Sequence, residues 1–563
     1  MINSLRPVLL SALALVLFSS GRSVAQDDVT FAQQLPDRVS AWLHVGDATV
    51  LRDRFGQSAW GRLMADPAVA DFKADVLKKL ALANAAVPVP DLLNEVSGEL
   101  SVALMKPQDG KTEFAASVGF SQQAVLDRIV ASIVERATTA KKTVKDVTHN
   151  SVSIRVITDK PGDAPDIAQQ AFAVRGQRLV ATNSLPLLRE ILDRWDGTTP
   201  GSFAGNVQAR QIAVATRDAD RLPALAWYLD PVGFLQGVLG GDKPSPLASR
   251  LESLEFDRFQ GVGGSIDFAT GTFDSISRTV GVVKTPVTGI LGLLSFPVDS
   301  VTVPAWVPDS VSGCLVMNWD ADSGWLSLRG LANELMGVGK FDSAITAVAN
   351  DPDGPMIHLG TDVFGQLTGR LFVLQSPPDP ESQALDGATL LAATVKDASA
   401  AQAIFDRLAN LESERLTKKT VAGSTLVSYK NRAQKVMHLA LNGDHLLVSE
   451  SQSLVEQILS ADPAASKLNA SDDYRRLSAH LPARSSIQGI QRNSEQLRAM
   501  YTLLKAGGAT GDTAPNLALL PAFQAIQHHF LPTATYATST TLAPNVSGFQ
   551  YVSFTLAPQI EAE

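Results

Sequence analysis

Cysteine is nearly absent from this chain, whose 563 residues include only Cys314. A disulfide needs two cysteines, so no intramolecular disulfide stabilises the fold. A chain of this length can build hydrophobic cores large enough to fold without one. Cys314 lies in an apolar, strand-like pattern, which predicts a buried small side chain and not a reactive thiol. We therefore expect neither a disulfide framework nor a catalytic cysteine.

Basic and aromatic residues are also scarce. Lysine and arginine total 48 against 57 aspartates and glutamates, the formal net charge is −9, and 6% of the residues are aromatic. No basic stripe or aromatic-interleaved arginine cluster offsets this balance, so we expect no nucleic-acid partner. A modest acidic surplus is typical of a soluble surface and does not indicate calcium binding.

Long apolar runs are limited to the N-terminus. Arg6 precedes an apolar stretch at 8–18, and Ser23-Val24-Ala25 offers small residues for cleavage. This order predicts a signal peptide at 1–25 and a mature chain that begins at Gln26. An uncleaved anchor is the alternative, but the run is about half of the roughly 20 residues that a span needs. We predict an exported protein, periplasmic, extracellular or at the cell surface, with no membrane span after signal removal.

Several catalytic and nucleotide-binding motifs are missing, among them G-x-x-x-x-G-K-[ST], G-x-S-x-G, H-E-x-x-H and the S-x-x-K set. Gly261-Val262-Gly263-Gly264 lacks the third glycine of a dinucleotide fingerprint, and we predict a strand that a neighbouring segment approaches closely. Asp351-x-Asp353-Gly354 begins like a calcium loop but lacks the later ligands, so a turn is expected. We predict no catalytic, cofactor-binding or metal-binding residues.

The eight histidines are the remaining candidates for metal ligands or bases. His528 and His529 are adjacent, so on a helix their side chains should point about 100° apart and not ligate one ion, and an exposed helix end is expected. His438 and His445 become neighbours on one sheet face if Asn442-Gly443 forms a two-residue turn. Two ligands without a carboxylate make a poor site, so a structural or solvent-facing role is expected there too.

Charged pairs are plentiful but local. Asp472-Asp473 and Glu412 with Glu414 are neighbours in sequence, and such pairs usually diverge in space. Asp127-Arg128 and Asp406-Arg407 occupy matching places on two amphipathic helices, where a solvated polar face is the ordinary explanation.

The chain repeats itself in order. Leu35-Pro36-Asp37-Arg38-Val39 resembles Val307-Pro308-Asp309-Ser310-Val311, and Ala124-Val125-Leu126-Asp127-Arg128 resembles Ala403-Ile404-Phe405-Asp406-Arg407. Near the ends of the copies, residues 554–558 of the second copy correspond to residues 282–286 of the first. The repetition predicts homologous domains at 26–286 and 303–558, a linker at 287–302 and an acidic tail at 559–563.

The order of predicted elements is similar in both copies. In the first copy, alternation predicts strands at 39–46, 99–105, 112–120, 151–158, 171–175, 179–182, 261–269 and 273–283. Helices are expected at 49–65 and, after a break at Asp66-Pro67, up to 84, and then at 91–98. Further helices are expected in the segment that Ser121 caps, from Ser184 to Trp195, near 225–239 and at 247–254. The apolar stretch 287–296 predicts a short buried helix. Hairpins dominate, so we predict an α+β fold of two repeats, each a mainly antiparallel sheet with helices covering one face.

The opening of the first copy supports one resemblance. A Leu-Pro-Asp sequence, an apolar strand and a helix ending in Trp60-Gly61-Arg62-Leu63-Met64-Ala65-Asp66-Pro67 resemble a family of predicted exported bacterial proteins catalogued as a domain of unknown function. Trp306-Val307-Pro308-Asp309 in the second copy is similar to a diverged version of that opening. The resemblance implies bacterial export and brings no catalytic residues with it.

Positions shared by the two copies are mostly apolar spacing, turns and helix caps. They predict a scaffold, with any specific site where the copies differ or where they meet. The expected function is that of an exported, non-enzymatic binding or envelope-associated protein for a protein or small-molecule ligand. An exported hydrolase with a non-motif active site in one copy, and a self-associating surface or matrix component, are the alternatives.

Overall fold

The computed structural model describes residues 29–83, 95–106, 112–159, 170–218, 221–239, 254–352, 354, 356–377, 387–431, 433–461, 466–494, 497–498, 501, 505 and 516–558. Several sequence predictions lie outside these residues: the signal peptide 1–25, the acidic tail 559–563, Asp353, the start of the 91–98 helix and nearly all of the 247–254 helix.

The described residues of the first half form ten strands, in segments where β-branched and other apolar residues alternate with polar ones. They are β1 Val39–Val45, β2 Val96–Met105, β3 Phe114–Phe120, β4 Thr143–His149, β5 Val152–Thr158, β6 Gln170–Arg175, β7 Arg178–Thr182, β8 Leu225–Leu229, β9 Phe259–Phe268 and β10 Phe273–Lys284.

The second half supplies twelve more, two of them only two residues long. They are β11 Asp299–Ser300, β12 Gly313–Asn318, β13 Leu367–Gln375, β14 Thr389–Val395, β15 Leu416–Val421, β16 Ser424–Lys430, β17 Val436–Asn442, β18 His445–Ser449, β19 Arg484–Ser485, β20 Ile487–Gln491, β21 Thr533–Ala543 and β22 Val546–Leu556.

Twenty of these strands form one continuous antiparallel sheet. Neighbouring strands follow the order β4-β5-β6-β7-β3-β2-β1-β8-β9-β10 and continue as β22-β21-β20-β12-β13-β14-β18-β17-β16-β15. The two halves join where β10 pairs with β22, from Phe273 opposite Leu556 to Lys284 opposite Val546. The fold is therefore α+β with a single large sheet, and β11 and β19 form a separate short pair.

Helices connect many of the strands. They are α1 Phe31–Gln34, α2 Ala48–Gln57, α3 Ala59–Ala65, α4 Ala70–Ala83, α5 Gln123–Thr139, α6 Leu185–Asp193, α7 Val207–Thr216, α8 Pro231–Leu239, α9 Ala321–Met336, α10 Lys340–Asn350, α11 Ala398–Ala409, α12 Gln452–Leu459, α13 Asp472–Ser478 and α14 Phe523–Ile526. No helix within the described residues is long and apolar enough to cross a membrane.

Apolar side chains cover both faces of the sheet. On β6, Ala171 and Ala173 pack into a core that includes α6, whereas Phe172 packs into a second core that includes α5. In the second half, Leu426 packs with α12, and its neighbour Val427 packs with α11. Successive strand residues point to opposite faces, so each half needs a helix on either side. The prediction of helices on one face is corrected accordingly.

Local predictions were confirmed where turns and caps are strong. Gly176 and Gln177 form the turn between β6 and β7, and Ser184 caps α6 by accepting the N–H of Leu187. The helix predicted near 225–239 is wrong in its first part, because Leu225–Leu229 is a central strand and the helix begins at Pro231. The cap of α5 lies at Gln122, one residue after the predicted Ser121.

A buried ion cluster ties α1 to the sheet. The Glu99 carboxylate on β2 lies 3.0 Å from Arg178 Nη2 on β7 and 3.3 Å from His44 Nδ1 on β1, and it accepts the backbone N–H of Phe31 at 2.9 Å. Burial acts to raise the pKa of Glu99, but His44, the charge of Arg178 and the Phe31 N–H outweigh it and hold that pKa below its ordinary value. Glu99 is therefore ionised at neutral pH.

Candidate functional site

A groove of about 460 Å³ lies at the junction of the two halves. One wall is the segment that connects β10 to β12, together with Leu254 and Glu255 ahead of β9. The other wall is α9, which contributes Leu326, Gly330 and Leu331 among others. The volume is within the range of small-molecule sites, roughly 300–1,000 Å³.

The connecting segment is held firmly against α9. A 3₁₀ turn at Gly289–Leu294 packs on the helix, and Trp319 Nε1 donates to the Leu293 carbonyl at 2.9 Å. Gly292 lies at the closest approach, where an added Cβ would stand 2.2 Å from Ser327 Oγ and the Ser327 side chain would have to move. The wall of the groove is thus fixed by packing and hydrogen bonding and does not depend on a bound ligand.

Apolar side chains of the groove and its margin are open to solvent. Leu326 is 65% exposed and Val287 is 40% exposed, and the adjacent Leu294 is 61% exposed. The 287–296 stretch was predicted to be a short buried helix, and this is correct only in part: a 3₁₀ turn forms and Leu291 is buried, but Leu294 faces water. Clustered exposure of large apolar side chains is typical of binding surfaces.

Two carboxylates line the groove. Glu255 accepts a hydrogen bond from Thr288 Oγ1 and lies 2.8 Å from Arg258 Nε, and these contacts lower its pKa, so it is ionised at neutral pH. Glu334, near the C-terminal end of α9, is exposed and has no ion-pair partner within the described part of the chain. The groove therefore combines apolar walls with negative charge, which the Arg258 guanidinium beside Glu255 partly offsets.

A second group of polar side chains also joins the two halves. Asp66 from the first half and the adjacent His528 and His529 from the second place their ligand atoms within 4.8 Å of one another. His529 Nε2 lies 3.0 Å from Asp66 Oδ2, and the two imidazole centroids are 3.9 Å apart. The prediction that the two histidines diverge is wrong: imidazole nitrogens lie well beyond Cβ, and side-chain torsions bring both rings toward Asp66.

The other histidine pair does not form a site. Asn442 pairs directly with His445, so the turn residues are Gly443 and Asp444, and the predicted Asn442-Gly443 turn is wrong by one residue. His438 is paired with Ser449 farther along the hairpin, and its Nδ1 lies 2.8 Å from Ser428 Oγ. Burial lowers the pKa of His438 and of His445, which keeps both rings neutral at neutral pH.

Two features that resemble sites are structural. Cys314 is buried, as predicted, and burial raises the pKa of its thiol to about 12. Gly263 and Gly264 lie on β9, where a Cβ would come within 2.4 Å of the Trp227 carbonyl and 2.1 Å of the Arg278 carbonyl. This is the close approach of neighbouring strands that the glycine pattern predicts.

The charged pairs have separate, local partners. Asp472 pairs with Arg475 and Asp473 lies 3.6 Å from Arg492, while Glu412 and Glu414 are exposed. Asp127 accepts from Gln123 and Asp406 from Gln402, each one helical turn away. Arg128 and Arg407 are exposed and pair with Glu95 and Asp362. The backbone N–H of Gly354 donates a hydrogen bond to the Asp351 carbonyl at 3.0 Å, which is the contact expected of a turn.

No protein-family model, curated protein or solved structure matches the chain. The groove was not found from the sequence, because its lining comes from three separate segments, within 254–255, 287–292 and 323–334. Asp66 could not be linked to His529 from sequence, because 463 residues separate them.

Proposed function

We propose that this chain is an exported, non-enzymatic binding protein whose groove takes a ligand with an apolar body and a positively charged group. The observation that carries the proposal is the groove itself, a preformed concavity with exposed apolar walls and two carboxylates. Apolar walls supply most of the affinity of such a site, and a few charged groups orient the ligand. Export rests on the signal peptide expected at 1–25.

The proposal includes two homologous copies, and the strand order supports this part of it. Outward from the β10–β22 joint, one half runs β9, β8, β1, β2, β3 and then the hairpins β7 to β4. The other half runs β21, β20, β12, β13, β14 and then β18 to β15. The sequence repeats equate β10 with β22 and α5 with α11, and the matching strand order extends this correspondence to the other strands. The groove lies at the junction of the two proposed copies.

The test uses two fluorescent probes that share a dansyl group. One carries a terminal amine (dansylcadaverine) and the other a terminal carboxylate (dansyl-6-aminohexanoate). The full mature chain is expected to bind the amine at least tenfold more tightly than the carboxylate, because Glu255 and Glu334 attract one and repel the other. Glu334→Gln is expected to reduce this preference.

Gly330→Leu fills the groove and is the decisive variant. Gly330 lines the groove and a Cβ there meets nothing within 4 Å, so a leucine side chain at this position begins in open space and should occupy part of the groove. Gly56→Leu is the matched control, since Gly56 is also a helical glycine with open space around it but lies on α2. Gly330→Leu should weaken binding of the amine probe at least tenfold and Gly56→Leu should not. Equal binding of both probes, or wild-type affinity in Gly330→Leu, would refute the proposal.

A further inference from the structure

We infer that Asp66, His528 and His529 form a zinc site that clamps the two halves of the chain together. Two imidazole nitrogens and one carboxylate oxygen are a donor set that Zn²⁺ commonly takes in proteins, with water or another group in the fourth position. The ligand atoms already lie within 4.8 Å of one another. Bonds of about 2.0–2.1 Å place tetrahedral ligands roughly 3.3 Å apart, so small side-chain rotations complete the site.

The carboxylate is oriented for this role. Asp66 ends α3 and caps the short 3₁₀ turn Pro67–Val69, with Oδ1 accepting the N–H of Ala68 at 2.9 Å. That hydrogen bond leaves Oδ2 facing His529 Nε2, at 3.0 Å. A ligand whose second oxygen is already held by a neighbouring backbone N–H, here that of Ala68, loses little freedom when a metal binds.

The histidines are positioned by packing. They lie on the 3₁₀ turn Gln527–His529, between the buried Ile526 and the aromatic Phe530. Phe530 stacks on Phe523 and meets Trp60 edge-on at 5.9 Å. Ile526 packs with residues of α3 and of the turn that follows Asp66. An apolar contact between the halves therefore holds both ligand-bearing segments beside each other.

An ion pair without metal is the competing explanation, and His528 distinguishes the two. The pair involves His529 and Asp66 only, with side chains 7% and 20% exposed. His528 is exposed, so His528→Ala leaves both the ion pair and the apolar contact in place. His528 takes no part in the ion pair, but the zinc site needs it as the third protein ligand.

The experiment titrates the full mature chain with zinc chloride by isothermal calorimetry. One equivalent per chain is expected to bind, and His528→Ala should weaken that binding at least tenfold while its far-ultraviolet circular dichroism stays unchanged. Zinc should also raise the Tm of the wild type and not that of the variant. Cobalt(II) provides a second readout, since a site of nitrogen and oxygen donors gives it visible absorption bands.

His149→Ala is the matched control. His149 Nε2 lies 2.7 Å from Asp193 Oδ1, which makes a solvent-accessible histidine–aspartate pair, and among the described residues no second histidine joins it in a possible metal cluster. The His149→Ala variant should bind zinc with the same affinity and stoichiometry as the wild type. The inference is overturned if the wild type binds zinc no more tightly than His528→Ala, or if His149→Ala lowers the affinity as much as His528→Ala does.

Discussion

Replacing Glu99 by glutamine removes the charge at the centre of the buried cluster beneath α1 and leaves its size unchanged. Glu99 and Arg178 are each 6% exposed, and the two side chains are 3.0 Å apart. Removing one partner of a buried ion pair costs about 3–5 kcal/mol, because the other charge stays buried. Arg178 Nη1 also donates to Gln34 Oε1 at 3.2 Å, so Arg178 keeps one polar partner in the variant. We therefore expect a loss of stability at the lower end of that range, about 3 kcal/mol.

The loss of stability in Glu99→Gln should be measured locally as well as globally, because the chain contains several hydrophobic cores. Urea unfolding gives the change in the free energy of unfolding. Hydrogen exchange by mass spectrometry follows 29–35, where the Phe31 N–H is bonded to the Glu99 carboxylate. Glu190→Gln is the control: Glu190 is 37% exposed, and its partner Arg38 keeps Glu113 at 2.9 Å. We expect that control to cost less than about 1 kcal/mol.

A second substitution separates a charge effect from a packing effect. If Glu99→Gln destabilises the protein because the charge of Arg178 is left buried without a partner, adding Arg178→Met should restore at least half of the lost stability.

The sign of the pH dependence of stability follows from the lowered pKa of Glu99. Its contribution is present above the ordinary carboxyl pKa of about 4.3 and is lost as pH falls through the folded value. A double variant as unstable as the sum of the single ones, or a loss that does not shrink in acid, would contradict the argument.

Two further predictions concern the sheet. Gly263→Ala should destabilise the protein by about 1–3 kcal/mol in urea unfolding, since its Cβ would meet the Trp227 carbonyl at 2.4 Å. Gly56→Ala, with open space and helical backbone, should stabilise it by up to about 1 kcal/mol; equal effects of the two would count against the close-approach argument. The Cys314 thiol, with a pKa of about 12, should resist Ellman's reagent at pH 8 until the chain is unfolded, and rapid native labelling would be the contrary result.

Local patterns predicted most of the individual elements. Hairpins with a glycine turn, such as β6 and β7, and a serine cap, such as that of α6, depend on residues close in sequence. Leu225–Leu229 is apolar throughout, a pattern that fits the predicted helix as well as the strand that it forms between β1 and β9. Periodicity alone cannot separate a short buried strand from a helix.

Long-range features were beyond the sequence for a different reason. The groove depends on how the 289–294 turn lies against α9, and the Asp66 cluster depends on two segments from opposite halves. Both depend on contacts between segments far apart in the chain, which no local pattern encodes. The histidine prediction failed because it treated side-chain direction as fixed by the helix angle, whereas long side chains rotate toward a partner.

The β10–β22 joint also has the form of a symmetric dimer contact. Thr279 pairs with Tyr551, and in the proposed duplication these are equivalent positions, three residues before Val282 and Phe554. The pairing is antiparallel about that point, which is the arrangement an isologous two-fold interface would give. If the proposed duplication joined the two subunits of such a dimer, every junction site of the dimer would have occurred twice. A single chain allows each proposed copy to change alone, so Asp66 can be kept in one and the His528-His529 pair in the other.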